Sequence, residues 1–534
     1  MSRRAKNEPI IYEEIESDVE EQEIDIENID IDSYLTDDLL ESSDHDNKKK
    51  KKKGIAAVKK TLTKKKTTKR KAPVKKEPKR KPTQTKLNLN KTTLPKQPLW
   101  DKDYMEKIAS EYPDPYWKFH ADSGYSMVNQ INAEHPLEIV PCTINDQAPI
   151  TSMSLSDDGH LLATYSNVGA VRVYDIVNDF RQLRKLRDDT ETHIDEFYCG
   201  TFVPSTEKGL IAVGGKLKDR HRWSSEDEDN HILPCPIKIF DLVTAKVVAR
   251  LEGHSEEILC IKPVQFKGEN YFISTSQDGY IYKWKMSEDW TALIESRKMQ
   301  DEITCMAFNI SFVPNTANKY FMAAVDEHVR LYDFEEAKLL QTFEHLYSSY
   351  CDCGKFVKWL DEDLYRQDNN SMDLDESQHA WFISRGAELC DVSDGVSSKP
   401  NTCTLHKLIY PTQPNEKFRL EEIKRYQNPD YHSNSWLVKI TSNGRYILAP
   451  TIYGQIFVFN MLTGNVSAIL KDHQDMEVRD VIFHPYRPLV FSCGDDGCVK
   501  VYTYKSLSDD SVETELTVGM KEVQIKKEEM TLLK

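Results

Sequence analysis

The stretch Ser274-Thr-Ser276-Gln-Asp278-Gly279-Tyr-Ile281-Tyr-Lys-Trp284 decides how this chain is read. Gly253-His254 lies twenty residues ahead of Ser274, so Ser, His and Asp are all at hand for a hydrolytic triad. Alternatively, Asp278-Gly279 is a tight turn, and Ile281-Tyr-Lys-Trp284 alternates with period two as a half-buried strand does. Recurrence separates the two readings, because a catalytic loop occurs once and a structural turn repeats.

The stretch recurs. Val168-Gly-Ala-Val-Arg-Val-Tyr174-Asp175 closes a unit that begins near Ile150, and Pro236-Ile-Lys-Ile-Phe240-Asp241 closes one that begins near His193. The quoted motif closes 253–286, and Asp326-Glu-His-Val-Arg-Leu-Tyr332-Asp333 closes a unit from Met299. Tyr453-Gly-Gln-Ile-Phe-Val-Phe459-Asn460 ends a unit from Asn434, and Asp496-Gly-Cys-Val-Lys-Val-Tyr502 ends the last, from His473. Each complete unit runs apolar strand, polar turn, Ala/Ser/Thr-rich strand, Asp/Gly turn, then an alternating strand ending on an aromatic. A fourth strand, such as Lys246–Leu251 or Lys338–Phe343, leads onward. The aromatics at 240, 284 and 332 are 44 and 48 residues apart, and those at 459 and 502 are 43 apart. Four short strands at that period make a propeller blade.

These residues resemble the WD40-repeat β-propeller superfamily, with Gly253-His254 as its glycine-histidine pair and Trp284-Lys285 in place of Trp-Asp. The resemblance spans 130–505; it is strong in the third, fourth and seventh units and partial in the first, second and sixth. Between Tyr332 and Phe459 one degenerate blade fits, with strands at 350–359, 380–384, 403–410 and 418–425. The expected fold is therefore all-β, a seven-bladed WD40-type propeller with a long disordered charged N-terminal tail; eight blades is the alternative. The last unit lacks an outer strand, because acidic 506–511 follows Tyr504, and Pro136–Ile144 is positioned to supply it. In the family, a histidine, a serine, the turn aspartate and the tryptophan form a hydrogen-bonded network inside one blade. That assigns His254, Ser274 or Ser276, Asp278 and Trp284 to structure rather than hydrolysis.

Charge divides the chain. Residues 1–100 hold 25 basic and 18 acidic groups, net +7, whereas the remainder holds 46 and 69, net −23. Within 1–98, expected to be a disordered tail, residues 13–46 carry 16 Asp/Glu and no Lys/Arg, and 48–81 carry 19 Lys/Arg against Glu77 alone. Lys69-Arg70-Lys71 and Lys79-Arg80-Lys81 read as nuclear-localisation clusters for an importin, and the same lysines offer non-specific, salt-sensitive contact with DNA or RNA. Gln84-Thr-Lys-Leu87 begins like a sliding-clamp box, but Asn90 and Lys91 stand where two aromatics belong. A linker, 99–129, is expected to hold a short helix over Asp101–Ser110; a second disordered charged tail covers 506–534.

Other chemistry is disfavoured. Gly209-Leu-Ile-Ala-Val-Gly214-Gly215-Lys216 approximates a phosphate loop, but its lysine falls one residue late, Leu217 follows it, and its flanks are strands. Cys351-Asp-Cys353 has no second pair at zinc spacing, and the scattered cysteines suit a reducing compartment. No secretory leader follows Met1-Ser-Arg-Arg, and no apolar run is long enough for a membrane span. No catalytic residue, metal or cofactor is expected.

Two insertions and one ring remain as partner-binding candidates. The insertion in the second unit sets Arg220, Arg222 and Trp223 beside an acidic run, with Ser224 and Ser225 placed for an acid-directed kinase. The second, 361–378, reads as acidic, polar and disordered. Arg172, Lys238, Lys283, Arg330 and Lys500 are expected to share one position in five third strands, as a cationic ring facing an acidic ligand. The function expected is a non-enzymatic nuclear scaffold binding other proteins through its propeller faces, in a chromatin-associated complex; the cytoplasm is the alternative location. One alternative function is a nucleic-acid-associated factor in RNA processing or ribosome assembly. Another is a ubiquitin-ligase substrate receptor. Family members in that last role often carry Arg two residues after the Asp of Trp-Asp; Val177, Val243 and Glu335 stand there instead.

Overall fold

The computed structural model describes residues 100–112, 131, 136–142, 144–204, 208–222, 232–299, 306–325, 328–369, 378–392, 395–398, 400–435 and 438–504. The two charge blocks of the tail, with the localisation clusters, and Trp223, Ser224 and Ser225 lie outside them, as does 506–534.

Seven antiparallel sheets form the blades of a propeller. Blade 1 runs Ile150–Leu155, Leu161–Ser166, Val171–Asp175 and Arg181–Leu186; blade 2 runs Ile194–Phe202, Leu210–Lys218, Cys235–Asp241 and Lys246–His254. Blade 3 comprises Ile258–Phe266, Glu269–Ser276, Ile281–Met286 and Leu293–Met299, and blade 4 Ala307–Phe312, Tyr320–Val325, His328–Asp333 and Lys338–Phe343. The degenerate unit is blade 5, at Cys351–Val357, His379–Gly386, Thr402–Ile409 and Arg419–Tyr426. Blade 6 holds Thr441–Ser442, Tyr446–Pro450, Ile456–Asn460 and Val466–Leu470. Blade 7 joins Val478–Phe483, Leu489–Gly494 and Cys498–Thr503 to the early segment Glu138–Ile139, with Ile139 opposite Tyr502. A second early segment, Ile144–Asn145, pairs farther along the same strand. Joining the two ends of the repeat this way closes the ring and leaves no exposed edge at the join.

Period-two alternation buries one row of apolar side chains against each neighbouring blade. Between blades 3 and 4, for example, Ile273 and Ile281 pack with Phe321, Tyr332 and Phe334. In five innermost strands the first ladder pair is followed by a bulge, and in blade 2 the fourth pair is, so that Thr151, Tyr198, Leu259, Phe308, Asp352 and Arg479 are each an extra residue at one level. The repeated bulge kinks these inner strands, in blades 1, 3, 4, 5 and 7 where they begin.

Helix α1, Lys102–Glu111, is N-capped by Asp101, whose carboxylate accepts from the Tyr104 amide at 3.1 Å. It is no free linker. Met105 and Ile108, three residues apart and so on one helix face, are buried with Trp100 against blades 4 and 5. The Trp100 ring stacks on Tyr320 at 5.9 Å and meets Phe418 edge-on at 5.7 Å. The insertion at 361–378 also departs from the expected disorder, because it opens with helix α2, Glu362–Asn369. Glu362 explains this: its carboxylate accepts from Trp381 Nε1 at 2.7 Å, bonds His379 Nε2 at 2.9 Å and pairs with Arg366 one turn on. Among the described residues no helix is long and apolar enough to cross a membrane.

Candidate functional site

Blade 3 ties the residues of the quoted stretch together. His254 Nδ1 lies 3.0 Å from Asp278 Oδ2, and His254 Nε2 lies 2.8 Å from Ser274 Oγ. Trp284 Nε1 donates to the same Oγ at 2.8 Å. Since the Asp278 carboxylate only accepts, His254 donates to it from Nδ1, and the neutral ring then accepts the Ser274 proton at Nε2. Burial opposes the charge on Asp278, but His254 and the Ser255 and Tyr280 amides outweigh it and hold the carboxyl below its usual range. Ser276 accepts from the Asp278 amide at 3.1 Å and donates to the Glu256 carbonyl at 3.1 Å. Both serines are at essentially zero exposure, and each accepts one hydrogen bond and gives its proton to a structural partner.

The network is copied in blade 7, where His473 spans Asp496 at 3.1 Å and Ser492 at 2.7 Å. Blade 5 builds a third version from different residues. Ser384 stands where Ser274 does, His406 Nε2 meets it at 2.8 Å from the tryptophan's place, and Tyr347 Oη meets it at 2.8 Å from the loop that elsewhere supplies histidine. Burial, then repulsion from Arg425, pushes His406 down to about 3, so the imidazole is neutral.

The phosphate-loop lookalike is the interior of a strand, Leu210–Lys218. Gly214 is there because a Cβ would lie 2.8 Å from Ile258 of the next blade, and Gly215 because one would lie 2.0 Å from the Glu196 carbonyl. Lys216 pairs with Glu257 at 3.3 Å.

The cationic ring is corrected by its partners. Lys238 is 1% exposed, its ammonium held by Asp195 at 2.6 Å and by Asp188 and Glu191 at 3.0 Å each. Those three carboxylates are the one convergent acidic group among the described residues, and a lysine fills it. Burial works against the charge of Asp188, yet Thr190, Arg250 and Lys238 bring its carboxyl down to about 2. Arg172 is closed against Asp146. Lys283 donates to the Phe334 carbonyl at 2.8 Å and lies 4.1 Å from that ring's centre, with burial and Arg297 pushing it down to about 8. Arg330 and Lys500 are half-buried within their sheets, opposite Ala323 and Ser492. Four of the positions match in register, but Lys283 pairs with Ile273, one residue on, and Tyr282 opposite Ser274 takes the matching place; the five cations do not form an open ring. Of the insertion in blade 2, Arg220 and Arg222 are exposed, and Arg222 lies 3.6 Å from Asp219.

What the fold does expose is a face. The connections from second to third strands, and those from each blade to the next, meet at one end, as the His254–Asp278 bond and the approach of Gly454 to Asp475 show. At blade 6 this face opens a cleft of about 310 Å³ lined by Asp430, His432, Tyr453, Gln455, Ile469 and Lys471. Tyr453 is 53% exposed and packs edge-on to His432 at 6.2 Å, and Met476, 45% exposed, follows Asp475 beside it. An exposed aromatic in the wall of a polar cleft is a composition suited to a protein-binding anchor.

A family model, the WD domain, G-beta repeat, matches residues 245–285 and 464–503. The chain is a WD40-repeat β-propeller. Both matched segments run through the blades with a complete His–Ser–Asp network, blades 3 and 7. A search of curated proteins finds no match. WD40 propellers are in general protein-interaction scaffolds. In this WD40 protein, sequence reasoning missed Tyr347 and His406, whose residue types match no repeat signature. It also missed the cleft, whose walls come from blade 6 and from the connection that leads into it; Tyr453 was visible only as a turn residue.

Proposed function

We propose that the protein is a non-enzymatic nuclear scaffold that holds partner proteins on its propeller within a chromatin-associated complex. The observation that carries this reading is the blade 6 cleft with Tyr453 exposed in its wall and Met476 exposed in the next connection, on a fold that commits His254, Ser274 and Asp278 to an internal network. Lys69-Arg70-Lys71 and Lys79-Arg80-Lys81 supply the importin-binding clusters, and the lysine-rich 48–81 adds electrostatic attraction to nucleic acid. The acidic body, net −23, does not itself favour phosphate backbones, which sets partner binding on the propeller apart from any contact made by the tail.

The test is capture from nuclear extract by the full-length protein and by Tyr453→Asp/Met476→Asp. Both side chains are exposed, so the variant keeps its thermal midpoint. Charges in the cleft rim cost the captured proteins at least tenfold in recovery. Equal recovery by both proteins would move the binding surface elsewhere. Recovery abolished by nuclease digestion would favour the nucleic-acid reading carried by the tail.

A further inference from the structure

Seven blades present seven outer strands, and one of them has a charge pattern the others lack. Residues 181–187 of blade 1, Arg-Gln-Leu-Arg-Lys-Leu-Arg, contain four cations and no carboxylate. Arg181, Arg184, Lys185 and Arg187 are all exposed, and among the described residues none of them forms an ion pair. Elsewhere the outer strands mix signs or carry little charge: Glu252 in blade 2, Glu295 in blade 3, Glu421 and Glu422 in blade 5, a single lysine in blade 4 and none in blade 6.

The cations crowd one another. Lys185 lies directly across from Arg172 in the ladder. Burial lowers the Lys185 pKa, and Arg187 and Arg172 lower it further. Arg172 has Asp146 as its counter-ion, but Lys185 and Arg187 have none at contact distance. A carboxylate brought to this edge relieves repulsion already present. The strand is also the last in its sheet, so alternate backbone N–H and C=O groups along it face outward with no ladder partner.

We propose that the outer edge of blade 1, residues 181–187, is a docking site for an extended acidic peptide of a partner protein, which adds to the sheet as a fifth strand. Backbone pairing supplies the affinity, and the alternate acidic side chains of the incoming strand, facing Lys185 and Arg187, supply the choice of partner. A second copy of this chain does not fit the same edge, because it brings four like charges. A nucleic acid offers phosphates but no backbone to continue the ladder, and it meets an acidic body at longer range. The site lies on the rim of the ring and is separate from the blade 6 cleft.

The probe is a fluorescent ten-residue peptide with the sequence of residues 23–32, Glu-Ile-Asp-Ile-Glu-Asn-Ile-Asp-Ile-Asp, which alternates apolar and acidic residues. It is titrated by anisotropy onto the full-length protein. The same titration on a full chain whose acids at 23–32 are changed to amides removes competition from its own copy of that sequence. Binding is expected to weaken at least tenfold in Lys185→Glu/Arg187→Glu. It is also expected to weaken at least tenfold when two of the peptide's isoleucines are replaced by proline, which keeps the charge and removes the amide donors. Both substituted side chains are exposed, so the protein's thermal midpoint stays put; Lys185→Ala/Arg187→Ala gives the same direction without added charge. Absence of binding to the amide-substituted chain overturns the proposal, as does binding that ignores the protein substitutions. Equal binding of the proline peptide overturns strand addition in favour of plain charge attraction. A single-stranded oligonucleotide that binds more tightly, with the same dependence on Lys185 and Arg187, overturns the choice of a peptide.

Discussion

Ser274 shows how much one hydroxyl does in this fold. It accepts from Trp284 and donates to His254, and neither neighbour has another partner at that atom. Ser274→Ala leaves a buried indole N–H and a buried imidazole nitrogen unsatisfied, a cost of about 2–4 kcal/mol. Equilibrium unfolding in urea reads the loss, and a change under about 0.5 kcal/mol would mean the network is not structural. His406 makes a prediction of a different kind. Unfolded, its imidazole titrates near the ordinary value of 6.5; folded, it stays neutral down to about 3. Between those values the unfolded chain binds more protons, so stability falls as pH drops from about 6.5 toward about 3 and is indifferent to this residue above that window. The slope it contributes is about 1.4 kcal/mol per pH unit. In unfolding curves from pH 7 to pH 4, His406→Gln flattens the dependence by that amount; an unchanged slope would contradict the assignment.

At the scale of elements, the segment ahead of the propeller behaves as part of it. Trp100 fills a space between Tyr320, Tyr410 and Phe418, and Tyr104 reaches Glu335 at 2.9 Å, so α1 bridges connections from blades 4 and 5. Trp100→Ala removes the largest anchor, worth about 3 kcal/mol. Hydrogen exchange then shows amides of α1 losing more than tenfold in protection while blades 1, 2 and 7 keep theirs; uniform loss would mean that α1 holds the whole ring. The blades with an Asp-Gly turn and a terminal aromatic could be read from the chain, because that turn needs Gly279 or Gly497 at positive φ and the alternation needs a half-buried strand. Blade 5 was placed by its apolar runs alone. Its turn is replaced by the hairpin Leu389–Val392 with Gly395–Ser398, and Tyr347 and His406 do the work of histidine and tryptophan. Four cation positions could be read too, but Lys283 stands one residue off theirs, and the partners were hidden. Asp146, Asp188, Glu191 and Asp195 come from other loops and strands, and only the fold sets them beside Arg172 and Lys238.

For the whole molecule, the proposed function divides into two tasks. On that proposal import falls to the tail: replacing Lys69, Arg70, Lys71, Lys79, Arg80 and Lys81 by alanine is expected to shift a fluorescently labelled full-length protein from nucleus to cytoplasm. Nuclear retention of that variant would remove these clusters from the import step. Partner binding belongs to the propeller, through short-range contacts on a net-acidic body, so it tolerates salt; attraction between 48–81 and phosphates falls steeply with salt. The most direct measurement is capture from nuclease-treated nuclear extract at low and moderate salt. It compares the full-length protein with a full-length variant whose lysines in 48–81 are neutralised. The account predicts that both retain the same defined set of proteins at moderate salt. If the neutralised variant retains nothing, or if nuclease alone empties the wild-type capture, the propeller is not the scaffold and the tail carries the function.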